Sequence, residues 1–305
     1  MAYLPVARGP GSRFRFVIAI VPLSLLMPFS RSTLVFFSLA VLLLGACNPG
    51  YQKLLKSGDV NKKYEAAVRY YDAGDYFRAG TLLEDLIPLL KGRPEAEKAQ
   101  FYFANTNFKQ RNYVLGAYYF KQFTDTYPNS VYTEEASFMH AKSLFRDSPG
   151  FELDQTNTTS ALEVIQDFIN RYPESKFRPE TEGMSQELQR KMESKAFGAA
   201  ELYYKLRYNQ AAVTAMGVFE QNYPAAPYID QADFLRLSAQ YAWAKESIES
   251  KQRERFLDAV AFYQHYIDTF PQSKNLKLAQ AMYDDSRAEL ERLKNIPGAE
   301  AAAAK

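Results

Sequence analysis

The phrase Asp125-Thr126-Tyr127-Pro128-Asn129-Ser130 closes an amphipathic stretch, and versions of it recur down the chain. They are Asn170-Arg171-Tyr172-Pro173-Glu174-Ser175, Gln221-Asn222-Tyr223-Pro224 and Asp268-Thr269-Phe270-Pro271-Gln272-Ser273. The prolines are 45, 51 and 47 residues apart. Proline forces the residue before it out of the α region and offers no N–H to continue a helix. Each phrase therefore predicts a helix end, with Asn129 or Ser130, Ser175 and Ser273 available to cap the helix that follows. A terminator repeating at this interval is the signature of a helical array, in which each helix pair buries its apolar face on the next.

The residues before each proline repeat as well. Counting back twelve, eight and five positions gives Gly116, Phe120 and Phe123, then Ala161, Ile165 and Phe168. The same count gives Ala212, Met216 and Phe219, then Ala259, Tyr263 and Tyr266. Small, large, large at these spacings is one helix face whose small residue lets a partner helix approach closely. An earlier copy lacks the aromatic-Pro ending: Asp75-Tyr76-Phe77-Arg78-Ala79 leads to Leu83 and Leu86, with Tyr64, Ala67 and Tyr70 on the helix before. These are tetratricopeptide (TPR) hallmarks. The predicted fold is all-α: an α-solenoid of five TPR-like helix pairs with a capping helix at about Leu276 to Lys294.

Two insertions interrupt the array. Asp147 to Asn157 separates the helices of the third pair, with Pro149-Gly150 as a turn and Thr158 to Ser160 placed to cap. In the fifth pair, Lys245 to Arg255 reads as a charged, solvated helix extension.

At 305 residues, 47% hydrophobic and 15% aromatic, the chain can build a substantial core. Its formal charge of +2 arises at the N-terminus, where the first 46 residues hold four arginines and no acid. Without them 33 basic side chains face 35 acidic ones, so no basic excess points to nucleic acid.

Two apolar runs open the chain, Phe14 to Phe29 and Leu34 to Ala46, each shorter than the roughly 20 residues of a spanning helix. The second ends Leu44-Gly45-Ala46-Cys47, and Cys47 is the only cysteine. Small residues before a lone cysteine, behind an Arg and an apolar core, resemble a bacterial lipobox. Cys47 is then expected to carry a diacylglycerol and, after cleavage, an N-acyl chain, enough lipid for stable anchoring. Met27 to Cys47 is by itself a complete signal peptide, so translation is expected to begin at Met27. Asn48 after the cysteine, with no Asp there, favours the outer membrane by the sorting rule of enterobacterial lipoproteins. The expected segments are a signal peptide over 1–46, a lipidated tether over 47–60, the solenoid over 61–294 and a disordered tail over 295–305.

Catalytic signatures are missing. His140 and His265 are the two histidines, both inside predicted helices and without ligands at metal spacing, His140 packed and His265 at the surface. No Gly-rich phosphate loop, G-x-S-x-G or H-E-x-x-H occurs, and Asp284-Asp285 would point in different directions on a helix. No enzyme, metal, soluble cofactor, small-molecule substrate or nucleic-acid partner is expected. The first helix of each TPR pair lines the concave face. There the register places Tyr64, Val68 and Tyr71, then Phe101, Asn105 and Phe108, and later Phe197, Glu201 and Tyr204. Aromatics with a few amides suit an extended peptide.

Lipobox, tether, five pairs and cap together resemble the BamD-like (YfiO-like) family of outer-membrane assembly lipoproteins. Asp154-Gln155-Thr156, the helix ending Phe168-Ile169-Asn170-Arg171-Tyr172-Pro173, and Ala199-Ala200-Glu201-Leu202-Tyr203-Tyr204 carry the likeness. The chain departs from that family at its first repeat, with Ile87-Pro88 and Arg93-Pro94, and at Ala215, where many members have Arg. The resemblance implies a non-catalytic scaffold at the periplasmic face of the outer membrane. Its partners would be BamA, other components of the assembly (BAM) complex, and C-terminal segments of unfolded outer-membrane proteins. The alternative is a periplasmic TPR adaptor for other envelope proteins such as peptidoglycan enzymes.

Overall fold

The computed structural model describes residues 49–294, which hold twelve helices and no strand. Leu44, Gly45, Ala46 and Cys47, the Met27 start and the tail over 295–305 lie outside the described residues. Two units are distinguished, one ending at Ser57 and one beginning at Gly58. In the first, α1 (Pro49–Leu55) occupies part of the expected tether.

The second unit contains the array. Its pairs are α2 (Val60–Asp72) with α3 (Tyr76–Leu86), α4 (Glu95–Lys109) with α5 (Tyr113–Thr126), and α6 (Thr133–Asp147) with α7 (Thr156–Arg171). Then come α8 (Arg178–Lys205) with α9 (Asn209–Asn222), and α10 (Ile229–Lys245) with α11 (Glu249–Thr269). The last helix, α12 (Leu276–Lys294), ends the stack. Successive first helices touch: α2 meets α4, α4 meets α6, α6 meets α8, and α8 meets α10. They form a continuous inner layer, with the second helix of each pair outside it.

The small-large-large register is the core. Ala79, Leu83, Leu86, Phe120, Phe123, Ala161, Ile165, Ala212 and Met216 have almost no exposed surface, and Gly116, Phe168, Phe219, Ala259, Tyr263 and Tyr266 are also buried. Each large side chain so buried contributes roughly 1.5–3 kcal/mol. At Gly116 a Cβ would lie 3.4 Å from the Phe108 backbone nitrogen, so the small residue sets how closely α5 approaches α4.

The recurrent phrase ends helices by one geometry. Tyr127, Tyr172, Tyr223 and Phe270 are C-caps with φ of −126°, −126°, −133° and −124°. Each donates its N–H one turn back, and each ring lies 5.2–5.6 Å from the aromatic four residues earlier.

The serines act differently from expectation. Ser130, Ser175 and Ser273 accept the backbone N–H two residues on, at 3.1–3.3 Å, and so shape the turn ahead of the next helix. The N-cap positions of α6, α8 and α10 are Tyr132, Phe177 and Tyr228, whose side chains make no capping bond. Their rings stack inward instead, Tyr132 on Phe101 (5.0 Å), Phe177 on Phe138 (4.3 Å) and Tyr228 on Phe197 (5.0 Å). Packing of an aromatic across the junction replaces a cap.

α8 is long enough to serve two repeats. Met184 and Leu188 pack with Phe120, Ile165 and Phe168, while Phe197 and Ala200 pack with Met216 and Phe219. The insertion before α7 is tied down: Gln155 Nε2 donates to the Gly150 and Leu153 carbonyls at 2.7 and 2.9 Å. Lys195 Nζ donates to the Glu152 and Leu153 carbonyls, and Lys191 Nζ to Ser148 Oγ. Thr158 lies inside α7 as a buried hydroxyl bonded to Gln155, so it does not cap that helix. The charged run from Lys245 is likewise two helix ends and a turn. α10 stops before Glu246, Ile248 is extended, and α11 begins at Glu249.

Candidate functional site

The first-helix face of the first two pairs is built by side chains of α2 and α4. Tyr71 stacks on Tyr102 with ring centres 3.9 Å apart and planes 15° from parallel. Asn105 Nδ2 donates to the Tyr71 hydroxyl at 2.8 Å and fixes that ring. Burial, with Tyr102 and Tyr76 beside it, pushes the Tyr71 phenol far above its ordinary range, so it stays neutral. Lys98 Nζ lies 5.1 Å from the Tyr102 ring centre. Burial pulls the Lys98 ammonium down, but Tyr102 and then Tyr64 and Tyr132 outweigh it, and the net shift is upward. Tyr64, half-buried on α2, is raised by burial and feels Lys98, Glu95, Tyr102 and Tyr132. Four phenols and one ammonium are thus gathered where three repeats meet.

Of the residues expected on this face, Tyr64 and Tyr71 are half-buried there, while Asn105 is 7% exposed and lies beneath Tyr71 as its hydrogen-bond donor. Phe101 and Phe197 are corrected: they are 4% and 7% exposed, and their rings belong to the core against Phe123 and Phe219. A large aromatic on a first helix is drawn into the gap between helices because stacking on the next N-cap ring buries more of it. Phe108 is half-buried, edge-on to Tyr113 at 5.4 Å. In the fourth pair, Glu201 binds Lys205 at 2.7 Å and Tyr204 packs on the Phe197–Phe219 cluster, so this trio presents no open aromatic face. Sequence reasoning missed Lys98, Tyr102 and Tyr132. Tyr132 was findable, four residues after Pro128 as Phe177 is after Pro173 and Tyr228 after Pro224.

A second candidate surface lies between the turns of the fourth and fifth pairs. A hollow of about 800 Å³ is lined there by Tyr203, Arg207, Tyr208, Ala215, Trp243 and Arg255. The Arg255 guanidinium lies 3.9 Å over the Trp243 ring and donates to Ser247 Oγ. Tyr208 and nearby Ile248 are 61% and 72% exposed.

His140 is set into the groove beside Lys121 and Asp125. His265 Nε2 lies 3.4 Å from Asp233 Oδ2. Asp285 accepts from Tyr241 at 2.6 Å and from Lys245, whereas Asp284 accepts from Gln280, so the doublet does diverge. Among the described residues no group of His, Cys, Asp or Glu could hold a metal, and no helix is long and apolar enough to cross a membrane.

Stacked helical hairpins with an aromatic inner face define a TPR-type scaffold, a class that works by holding other polypeptides. The chain belongs to the YfiO family of outer membrane lipoproteins, whose profile matches residues 56–255. It is 30% identical over 125 residues to the "Putative outer membrane protein assembly factor BamD" of Aquifex aeolicus, covering 40% of each chain. It is 21% identical over 156 residues to the "Outer membrane protein assembly factor BamD" of Helicobacter pylori, covering 50% of this chain and 70% of that one. The chain therefore spans less than half the length of the Aquifex relative. A thermophilic TPR protein of Thermus thermophilus superposes with a TM-score of 0.29 at 14% identity, over 75% of this chain and 99% of the other. That superposition is too loose to carry the fold, which rests on the helices themselves.

Proposed function

We propose that the chain is a non-catalytic scaffold of the outer-membrane β-barrel assembly complex, held at the periplasmic face by lipid on Cys47. The N-terminal pairs receive C-terminal segments of unfolded outer-membrane proteins. The C-terminal pairs dock the periplasmic domains of BamA, with other BAM components alongside. The observation that carries this reading is the open tyrosine face on α2 and α4 in a chain of the outer-membrane lipoprotein family. Flat, half-buried rings with phenol hydroxyls offer apolar contact and hydrogen bonds to a chain that has not folded. Trp, Tyr and Arg around the fourth-pair hollow are the residue types that dominate interface energies, which supports docking of a folded partner there. The anchor works through effective concentration, keeping the substrate beside the membrane it will enter.

Affinity purification of the tagged chain from detergent-solubilised membranes tests this. BamA is expected to co-purify. Recovery of a peptidoglycan hydrolase without BamA would move the chain to the adaptor class.

A further inference from the structure

The turns that join α2 to α3 and α4 to α5 lie side by side. Lys109 Nζ stands 6.0 Å from the Tyr76 ring centre, and Gln110 Nε2 donates to the Tyr76 carbonyl at 3.3 Å. Just beyond each turn the chain exposes large apolar side chains: Phe77 at 70%, Val114 at 64%, and also Leu115 and Tyr118. Phe77 and Leu115 share one shallow hollow with Tyr119, whose ring is 5.1 Å from that of Tyr118. The cations here are the freer charges. Lys109 and Arg111 are exposed and make no salt bridge among the described residues. Of the acids in these turns, Arg78 neutralises Asp75 at 2.9 Å and Asp72 remains, while Glu84 lies two turns further along α3.

Apolar side chains projecting from adjacent turn tips, with an ammonium and a guanidinium beside them, match the layered chemistry of a bilayer surface. Apolar tips enter the acyl boundary while the cations meet anionic headgroups. A folded partner would need a concavity shaped to these tips, which a fluid bilayer does not. Position along the chain selects the same occupant. Twelve residues separate Cys47 from Val60, so lipid on Cys47 keeps the start of the array within at most about 45 Å of the bilayer. We infer that Phe77, Val114, Leu115 and Tyr118 insert into the phospholipid surface that anchors the chain, with Lys109 and Arg111 at its headgroups. This second membrane contact rests on the lipid at Cys47, and it fixes which edge of the array faces the bilayer.

The test attaches the fluorophore NBD to single introduced cysteines in the full-length lipoprotein, reconstituted in phosphatidylethanolamine–phosphatidylglycerol vesicles. In the wild type the Cys47 sulfur is a thioether and is expected to take up no label. NBD at Val114→Cys and at Phe77→Cys is expected to shift to shorter wavelength and to lose emission when the lipids carry an acyl-chain spin label. NBD at Val131→Cys, exposed in the turn between α5 and α6, is expected to do neither. Exchanging phosphatidylglycerol for phosphatidylcholine, or combining Lys109→Gln with Arg111→Gln, is expected to lower the quenching at position 114. Absence of quenching at both tips, quenching as strong at Val131→Cys, or quenching unmoved by either charge change would each overturn the inference. If the wild-type chain fails to float with the vesicles, or takes up label on Cys47, the anchor reading falls and this inference with it.

Discussion

His140 sits on α6 beside Lys121 and Asp125, and burial, helped by Lys121, pushes its imidazole down to about 4. An unfolded histidine takes up its proton near 6.5, so this group contributes stability above that pH and loses it as pH falls towards 4. Between pH 7 and pH 4 the loss amounts to at most about 3 kcal/mol. Urea unfolding of the wild type and His140→Phe across that range is expected to show the gap between them shifting in favour of the variant as pH drops. A constant gap would contradict it. Asp233 and Glu220 run the other way. Burial raises both carboxyls, so their contribution is present below the ordinary carboxylate range and is lost as pH rises through their folded values. Nothing in the sequence marks these three residues beyond their helical positions, because their properties come from neighbours that folding supplies.

Three of the five turns between the helices of a pair follow one design. In the first, second and fourth pairs the residue after the C-cap takes a left-handed φ: Gly74 at 79°, Arg111 at 65° and Arg207 at 62°. The next N–H then closes on the carbonyl five residues back, at 2.8, 2.9 and 3.0 Å, as a Schellman motif. Only the first turn has the residue suited to that conformation, since a side chain there costs roughly 1–2 kcal/mol. Arg207→Gly is therefore expected to raise unfolding stability by about 1 kcal/mol, measured by the midpoint of chemical denaturation. An unchanged or lowered midpoint would mean that the Arg207 side chain has stabilising contacts offsetting the strain. At this scale most of the fold was legible. The proline phrase, the buried triplets, the five pairs and the final helix all stand where their spacing put them, because local sterics and apolar period decide them. The serine caps, Phe101, Phe197 and the unbroken charged run were misread for one reason. Each depends on contacts that spacing along the chain does not show: Tyr132, Phe177 and Tyr228 fill the junctions between repeats, and within the fifth pair Trp243 draws Arg255 back across a turn.

Across the whole array, the inner layer of first helices carries the tyrosine face at one end and leads to the fourth-pair hollow at the other. The two surfaces differ in chemistry. One is phenolic and half-buried, with an ammonium beside the rings. The other is wider and lined by Arg, Trp and Tyr. The candidate site was legible only in part. Tyr64 and Tyr71 followed from the register, whereas Asn105 is buried beneath them and Lys98, Tyr102 and Tyr132 gain their meaning from the meeting of three pairs. One measurement bears most directly on a scaffold that assembles barrels by holding chains. It is the amount of folded, heat-modifiable β-barrel protein in the outer membrane after the chain is depleted from its native host. The account predicts that folded barrels fall as depletion proceeds while unfolded precursors accumulate in the periplasm. Undiminished barrel assembly in depleted cells would contradict it.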